Sequence, residues 1–333
     1  MANAGERDQI DSVLSLNLDS QPVARPMLRG QHPKHHGCAK AIFRIHANIP
    51  EELRQGVFCE PRDYDAWVRF SNGRVKDDSK ADAHGMAIKV LGVSGTKLLD
   101  GRTGETAQDF ILVDSETFFT GDGADYIRVH RATMGKGIDR LFGWLSLLCR
   151  PALLMRILRF AGKRPRSTFE CRYFSAVPYR FGSLAVKYAA LPRGPVIDGP
   201  ASHANALAAA LQSRLNEWGI SFAFAVDIQA DPDTHPIDDP TVNWAAAGAR
   251  RVVLAELILP PQSIDPSAPL AENLQFSPWH ALLAHEPLGL INRMRKPVYR
   301  EMARARHQIN EIFPLETSEA PASYADQTPG SAP

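Results

Sequence analysis

Apolar residues alternate with polar ones, or gather in short runs, at seven places along the chain. Ala41–Ala47 (AIFRIHA) and Gly85–Val93 (GMAIKVLGV) alternate, Ala66–Phe70 (AWVRF) is apolar and aromatic, and Phe110–Val113 is a short apolar run. Ser183–Tyr188, Ser221–Gln229 and Arg251–Leu259 complete the set. A period of two puts successive side chains on opposite faces of a strand, so each stretch predicts a strand with a buried face. Seven strands separated by dense turn punctuation predict an antiparallel barrel or large sheet. Helices are predicted at Tyr126–Arg131, at Leu141–Phe160 in two halves broken at Pro151, at Ala204–Glu217, and from near Arg295 to about Ile312. The expected class is α+β, an antiparallel β-barrel core with flanking helices.

The chain has 333 residues, 44% of them hydrophobic, enough for a full core. No Gly/Pro/Ser-rich linker divides the middle, so residues 26–315 are expected to form one domain. Residues 1–25 read as a loosely attached arm. Residues 316–333, rich in Ser, Ala and Pro with little to bury, read as a disordered tail. Lys+Arg (38) and Asp+Glu (37) nearly cancel, which argues against a nucleic-acid partner. The four cysteines (Cys38, Cys59, Cys149, Cys171) show no CxxC spacing and are expected to be reduced thiols in a cytoplasmic protein. The first residues, MANAGERDQIDSVLSL, lack the basic and apolar regions of a secretory signal. The longest apolar stretch, Leu141–Gly162, is interrupted by Arg150, Pro151, Arg156 and Arg159, which speaks against a membrane span. It is expected to pack on the barrel as a helical pair; an amphipathic surface meeting a membrane, or admitting a fatty hydroperoxide, is the minor alternative.

Chemistry-bearing residues gather at the two ends of the central region. Near the start stand Arg29-Gly-Gln-His32-Pro-Lys34-His35-His36-Gly-Cys38 and then Trp67-Val-Arg69-Phe-Ser71-Asn72. Near the end stands Asn292-Arg293-Met-Arg295-Lys-Pro-Val-Tyr299, followed by Arg304 and Arg306. The order and spacing resemble the catalase superfamily, in particular its short catalase-like branch, over about Arg29 to His307. Arg29–Lys34 resembles the family's distal-histidine motif. Val68–Ser71 resembles the strand carrying a propionate-binding arginine and a serine behind that histidine, and Arg295–Tyr299 resembles the proximal tyrosine motif. The resemblance implies haem b, with its iron, buried between the barrel and the C-terminal helix. Tyr299 is then the metal ligand, and Arg29, Arg69 and Arg295 are cofactor-binding. His32, Ser71 and Thr106 are the candidate catalytic residues. A peroxide substrate and a small organic reductant are the implied partners, with a homo-oligomer compatible with the sequence.

Physical chemistry supports these assignments separately. A phenol binds ferric iron as the anion, yet ionises only near pH ~10 when free; a metal and nearby cations favour the anion. Tyrosine ligation of catalase haem is itself a known pattern. Arg295, four residues before Tyr299, shares a helix face with it if both are helical. Pro297 between them fits best in a first turn, which would leave Arg295 just outside the helix. A histidine titrates near neutrality and suits proton transfer between two peroxide oxygens, with Ser71 fixing the ring. Three histidines compete for that role. His32 is chosen because Arg29 and Lys34 frame it, and His36 is the fallback. A zinc site from His35, His36 and Cys38 is the minority alternative.

Thr106 marks a departure. True catalases carry a distal asparagine near that position, so rapid hydrogen peroxide disproportionation is less expected here. A peroxidase, a lipid hydroperoxide isomerase of the allene oxide synthase type and a non-catalytic haem-binding protein are the alternatives.

Overall fold

Strand pairing closes on itself. The computed structural model describes residues 4–20, 25–101, 103–194, 203–265 and 270–311. Its strands are β1 (His35–Ile45), β2 (Asp63–Asn72), β3 (His84–Leu91), β4 (Ala107–Val113), β5 (Tyr173–Phe174), β6 (Tyr179–Phe181), β7 (Leu184–Arg193), β8 (Ile220–Ile228) and β9 (Arg250–Leu259). They run antiparallel in the order β5-β4-β3-β2-β1-β9-β8-β7-β6, and β5 also pairs with β7. Eight strands therefore form a closed antiparallel barrel, with β6 attached outside the ring on β7. Closure leaves the ring no free edge. The seven expected strands are all present. The two not expected, β5 and β6, have only two and three residues and so carry no readable periodicity.

Inward-facing aromatics fill the barrel. Phe43 stacks on Phe110 at 5.8 Å and meets Phe224 edge-on at 5.0 Å, and Tyr188 meets Phe110 at 4.9 Å. A buried imidazole sits among them: His285 Nε2 accepts from the Val57 N–H at 3.0 Å, and its Nδ1 lies 3.1 Å from the Tyr188 hydroxyl.

Helices α2 (Gly123–Met134), α3 (Gly137–Leu148), α4 (Pro151–Ala161), α5 (Ala206–Glu217), α6 (Leu270–Asn273) and α7 (Gly289–Asn310) flank the barrel. The α3–α4 break falls before Pro151, as predicted, with the proline at the first position of α4, where its missing N–H costs nothing. Two expectations need correction. The stretch read as a loose arm contains helix α1 (Ala4–Asp19), whose Val13 and Asn17 are buried and whose Glu6 pairs with Arg293 of α7. Few apolar positions suffice because α1 lies on a neighbouring helix rather than on the barrel. Helix α7 begins six residues before Arg295, so Pro297 lies inside it and Arg295 is helical. The tail expected from residue 316 lies outside the described residues.

Several histidines are held neutral inside the fold. Burial pushes His285 down to about 3 and His36 and His130 to about 4. His280 runs the other way: burial opposes its charge, but the Asp109 and Glu105 carboxylates outweigh burial and raise it. A ring with a depressed folded value takes up a proton on unfolding once pH falls below its ordinary 6.5. Falling pH then favours the unfolded state. The melting temperature, followed by circular dichroism, is expected to fall steadily from pH 6.5 to about pH 4, and the His285→Gln variant is expected to show a shallower fall.

Candidate functional site

The outer faces of β2, β3 and β4 carry small or polar side chains where α7 crosses them, and this leaves a cavity. It has two adjoining lobes of about 150 and 240 Å³. His32 from the barrel side and Tyr299 from α7 line both lobes, as do Asn17 of α1 and Gln31.

His32 is the most constrained residue in the site. Its backbone is left-handed, with φ 57°, immediately before Pro33. Such a conformation costs roughly 1–3 kcal/mol and persists only where neighbours enforce it. Three contacts do so. The His32 N–H donates to the Gly73 carbonyl at 2.8 Å, its own carbonyl accepts from Arg69 Nη2 at 3.0 Å, and Nδ1 lies 3.1 Å from Ser71 Oγ. The ring packs against the backbone of Gly85, where a Cβ would come within 2.6 Å of Cε1 and 2.7 Å of Nδ1. Burial first, then the Arg69 guanidinium, pushes the imidazole down to about 3. It is therefore a neutral base at any ordinary pH.

At one end of the first lobe three arginines meet. Arg29 comes from the segment before β1, Arg69 from β2 and Arg306 from α7. Arg29 donates to the carbonyls of Ala271, Glu272 and Leu274, and Arg69 to His32, Ala271 and the Glu272 carboxylate at 3.2 Å. Arg306 donates to the Glu272 carbonyl. All three lie within 3.8 Å of the Glu272 carboxylate. His35 also faces Glu272, but burial holds it down to about 4, so it adds no charge. Among the described residues, three guanidiniums thus share one carboxylate, two positive charges in excess. Burial and the neighbouring Arg69 and Arg306 push Arg29 well below its usual range, and its Nε makes no hydrogen bond.

The second lobe is apolar, walled by Phe118, Phe119 and Phe160 with Ile157 of α4 and Met294 of α7. Arg295 lines it too, over the Phe118 ring at 5.2 Å, one turn before Tyr299 on α7.

The structure brings together Arg29, His32, Arg69, Ser71, Arg295 and Tyr299. It does not bring in Thr106, which is a correction. Thr106 is exposed and its carbonyl accepts from Val93 N–H. The β4 residues that reach the cavity are Ile111, Leu112 and Val113, at least five residues farther on, or roughly 17 Å at a strand's rise. The strand wall beside His32 is Gly85, Met86, Ala87, Ile111 and Leu112, and the amides that line the cavity come from other segments, Asn17 of α1, Gln31 and Gln275. His36 is also elsewhere: its Nε2 is 2.8 Å from Asn72 Oδ1, on the far side of β1 from His35, and Lys34 pairs with Asp78 there. The zinc alternative fails on the same geometry, and among the described residues no three His, Cys, Asp or Glu side chains converge on a metal-sized site.

Gly85 and Arg306 line the site, although the sequence reading gave Gly85 no role and Arg306 only general positive charge near Tyr299. A glycine opening a strand was the available signal for the first. For the second it was an arginine seven residues, two helical turns, beyond Tyr299.

No family model matches the chain, and no curated protein does. Solved structures do. A bacterial catalase is 17% identical with a TM-score of 0.65, over 95% of this chain and 64% of its own length. A fungal catalase is 15% identical at 0.64, covering 92% and 62%, and catalase A from Saccharomyces cerevisiae is 15% identical at 0.60, covering 95% and 66%. The chain has the catalase-like α+β barrel fold, and spans about two thirds of the length of the catalases it matches.

Gly85→Ala is expected to displace the His32 ring and to destabilise the fold by about 1–3 kcal/mol, read from urea unfolding, because the new methyl has no room. A loss below the error of that measurement would mean that the ring is not held against the strand.

Proposed function

We propose that this chain is a haem-dependent enzyme that reacts with peroxides. The observation that carries the reading is that His32, from the segment before β1, and Tyr299, from α7, line the same cavity, with a cationic triad at its end. The donor set fits the group. Two uncompensated positive charges at Arg29, Arg69 and Arg306 match a dianion, as the two propionates of haem b are, and guanidiniums make charge-assisted bonds to carboxylates. The Arg29 Nε that makes no hydrogen bond is a donor ready for such a partner. Tyr299 would offer its phenol oxygen as a ligand from the α7 side. Haem, when bound, supplies an iron that exchanges electrons with a peroxide.

The chain's own residues then account for the proton. His32 is neutral at physiological pH, so it takes a proton from one peroxide oxygen and returns it to the other as the O–O bond breaks. Ser71 at Nδ1 fixes the ring, leaving Nε2 for the substrate. The carbonyl bond from Arg69 and the Gly85 contact keep that nitrogen in place, as a proton relay requires.

A second reading concerns the substrate. The larger lobe is mostly apolar, with Phe118, Phe119, Ile157 and Phe160 on its wall. That lining favours an organic hydroperoxide, handled as a peroxidase or by isomerisation. Oxygen release from hydrogen peroxide compared with turnover of a fatty acid hydroperoxide separates the cases.

Tyr299→Phe is expected to lose or greatly weaken haem retention, measured by the Soret band on titration with haem. His32→Ala is expected to keep the band while peroxide consumption drops roughly 10²–10⁴-fold. An unchanged spectrum for Tyr299→Phe would refute the ligand. Loss of activity from His36→Ala, but not from His32→Ala, would refute the base.

A further inference from the structure

The α3–α4 corner gathers most of the exposed large apolar side chains among the described residues. Helix α3 exposes Ile138, Leu141, Phe142, Leu145 and Leu148, a spacing that draws one stripe along a helix. The stripe faces outward: Phe142 is 62% and Leu148 64% exposed. The opposite side is committed to the fold, since Gly143 sits against the backbone of Ala132 so closely that a Cβ there would come within 2.4 Å. Helix α4 adds Met155 and Leu158 to the outer face. Expectation placed this pair on the barrel, with its apolar side inward. Only part of it is inward.

Charge is as uneven as polarity. Residues 131–166 contain nine Lys or Arg (Arg131, Lys136, Arg140, Arg150, Arg156, Arg159, Lys163, Arg164, Arg166) and one acid, Asp139. That is a formal +8 in a chain whose total is +1, so the rest of the molecule sums to −7. Arg150 and Arg156 lie within 3.9 Å of Asp125, and Lys163 pairs with Asp114. Arg131, Lys136, Arg140, Arg159 and Arg164 stand exposed around the apolar stripe.

We infer that the α3–α4 corner is a docking surface for an anionic lipid bilayer. An exposed apolar stripe rimmed by Lys and Arg is the composition of a helix that lies in the membrane interface. Its aliphatic and aromatic side chains enter the headgroup boundary while the cations meet lipid phosphates. Among the described residues no single helix is long and apolar enough to cross, and α3 and α4 meet at 106°. A second copy of the chain fits less well. An isologous contact would set the same cationic rim against itself. The negative remainder of the molecule orients it, this corner towards the lipid and the rest away.

The test needs no haem, so it stands apart from the reading of the cavity. Full-length protein is sedimented at low salt with vesicles of phosphatidylcholine alone and with vesicles containing equal phosphatidylglycerol. Binding is expected to the second only, to weaken with added salt, and to fall at least tenfold in Phe142→Glu/Leu145→Glu and in Arg140→Glu/Arg159→Glu. Both pairs are exposed, and unchanged circular dichroism controls for folding. Protein that stays in the supernatant overturns the proposal, as does binding that both double variants retain. So does a wild-type dimer that Phe142→Glu/Leu145→Glu converts to a monomer without any change in vesicle binding, because the face would then be a self-interface.

Discussion

A guanidinium removed from water must find carboxylates or carbonyls, and three of them packed together repel one another unless negative charge is supplied. Arg29, Arg69 and Arg306 pose that problem at the end of the first lobe. They come from the segment before β1, from β2 and from α7, so the cluster exists only when the barrel wall and the C-terminal helix are docked. Backbone carbonyls of the α6 segment and the Glu272 carboxylate answer part of the demand. The remainder, two positive charges, is a standing attraction for a dianion. A fold selected for stability alone would have replaced at least one of these residues with an apolar one, often at no cost.

The strain at His32 has the same logic. A left-handed histidine before a proline is unfavourable in isolation, and the chain holds it with a backbone donor, a backbone acceptor and a side-chain hydroxyl. Arg69 takes part in both devices, bonding the His32 carbonyl while belonging to the cationic triad. The base and the anion-binding end are thereby fixed to each other through one side chain. Whatever orders the arginines also orders the imidazole.

Much of this was legible in the sequence, for reasons that differ by element. The seven longer strands showed because one face of each is buried in the aromatic barrel, and burial writes a period of two. Strands β5 and β6 are too short to write any period. Helix α1 was missed because a helix lying on another helix needs few apolar residues; Val13 is its buried contact with the main core. His32, Ser71, Arg69 and Tyr299 were picked out by their resemblance to family motifs, and all four line one cavity. Thr106 was misplaced because proximity along the sequence was read as proximity in space. In a strand, five residues carry the chain across most of the wall. Arg306 was read as generic positive charge because only the docking of α7 against α6 tells it apart from Arg304, which is exposed and pairs with Glu301.

The two unusual features of the molecule, its apolar lobe and its apolar surface, are separated by one helix. Ile157, Phe160 and Ala161 of α4 line the second lobe, while Met155 and Leu158 of the same helix face out. A helix with its side chains is about 10–12 Å thick. A ligand partitioned into the interface beside α4 would lie that far from the lobe that His32 and Tyr299 also line. Hydrogen peroxide gains nothing from such an arrangement, being small and freely soluble. An acyl hydroperoxide gains much, because its tail is held in the lipid and its head need travel only the thickness of a helix. The apolar lining of the second lobe and the cationic, apolar corner outside it lie on the two sides of α4, and both suit the same proposed substrate class, an acyl hydroperoxide.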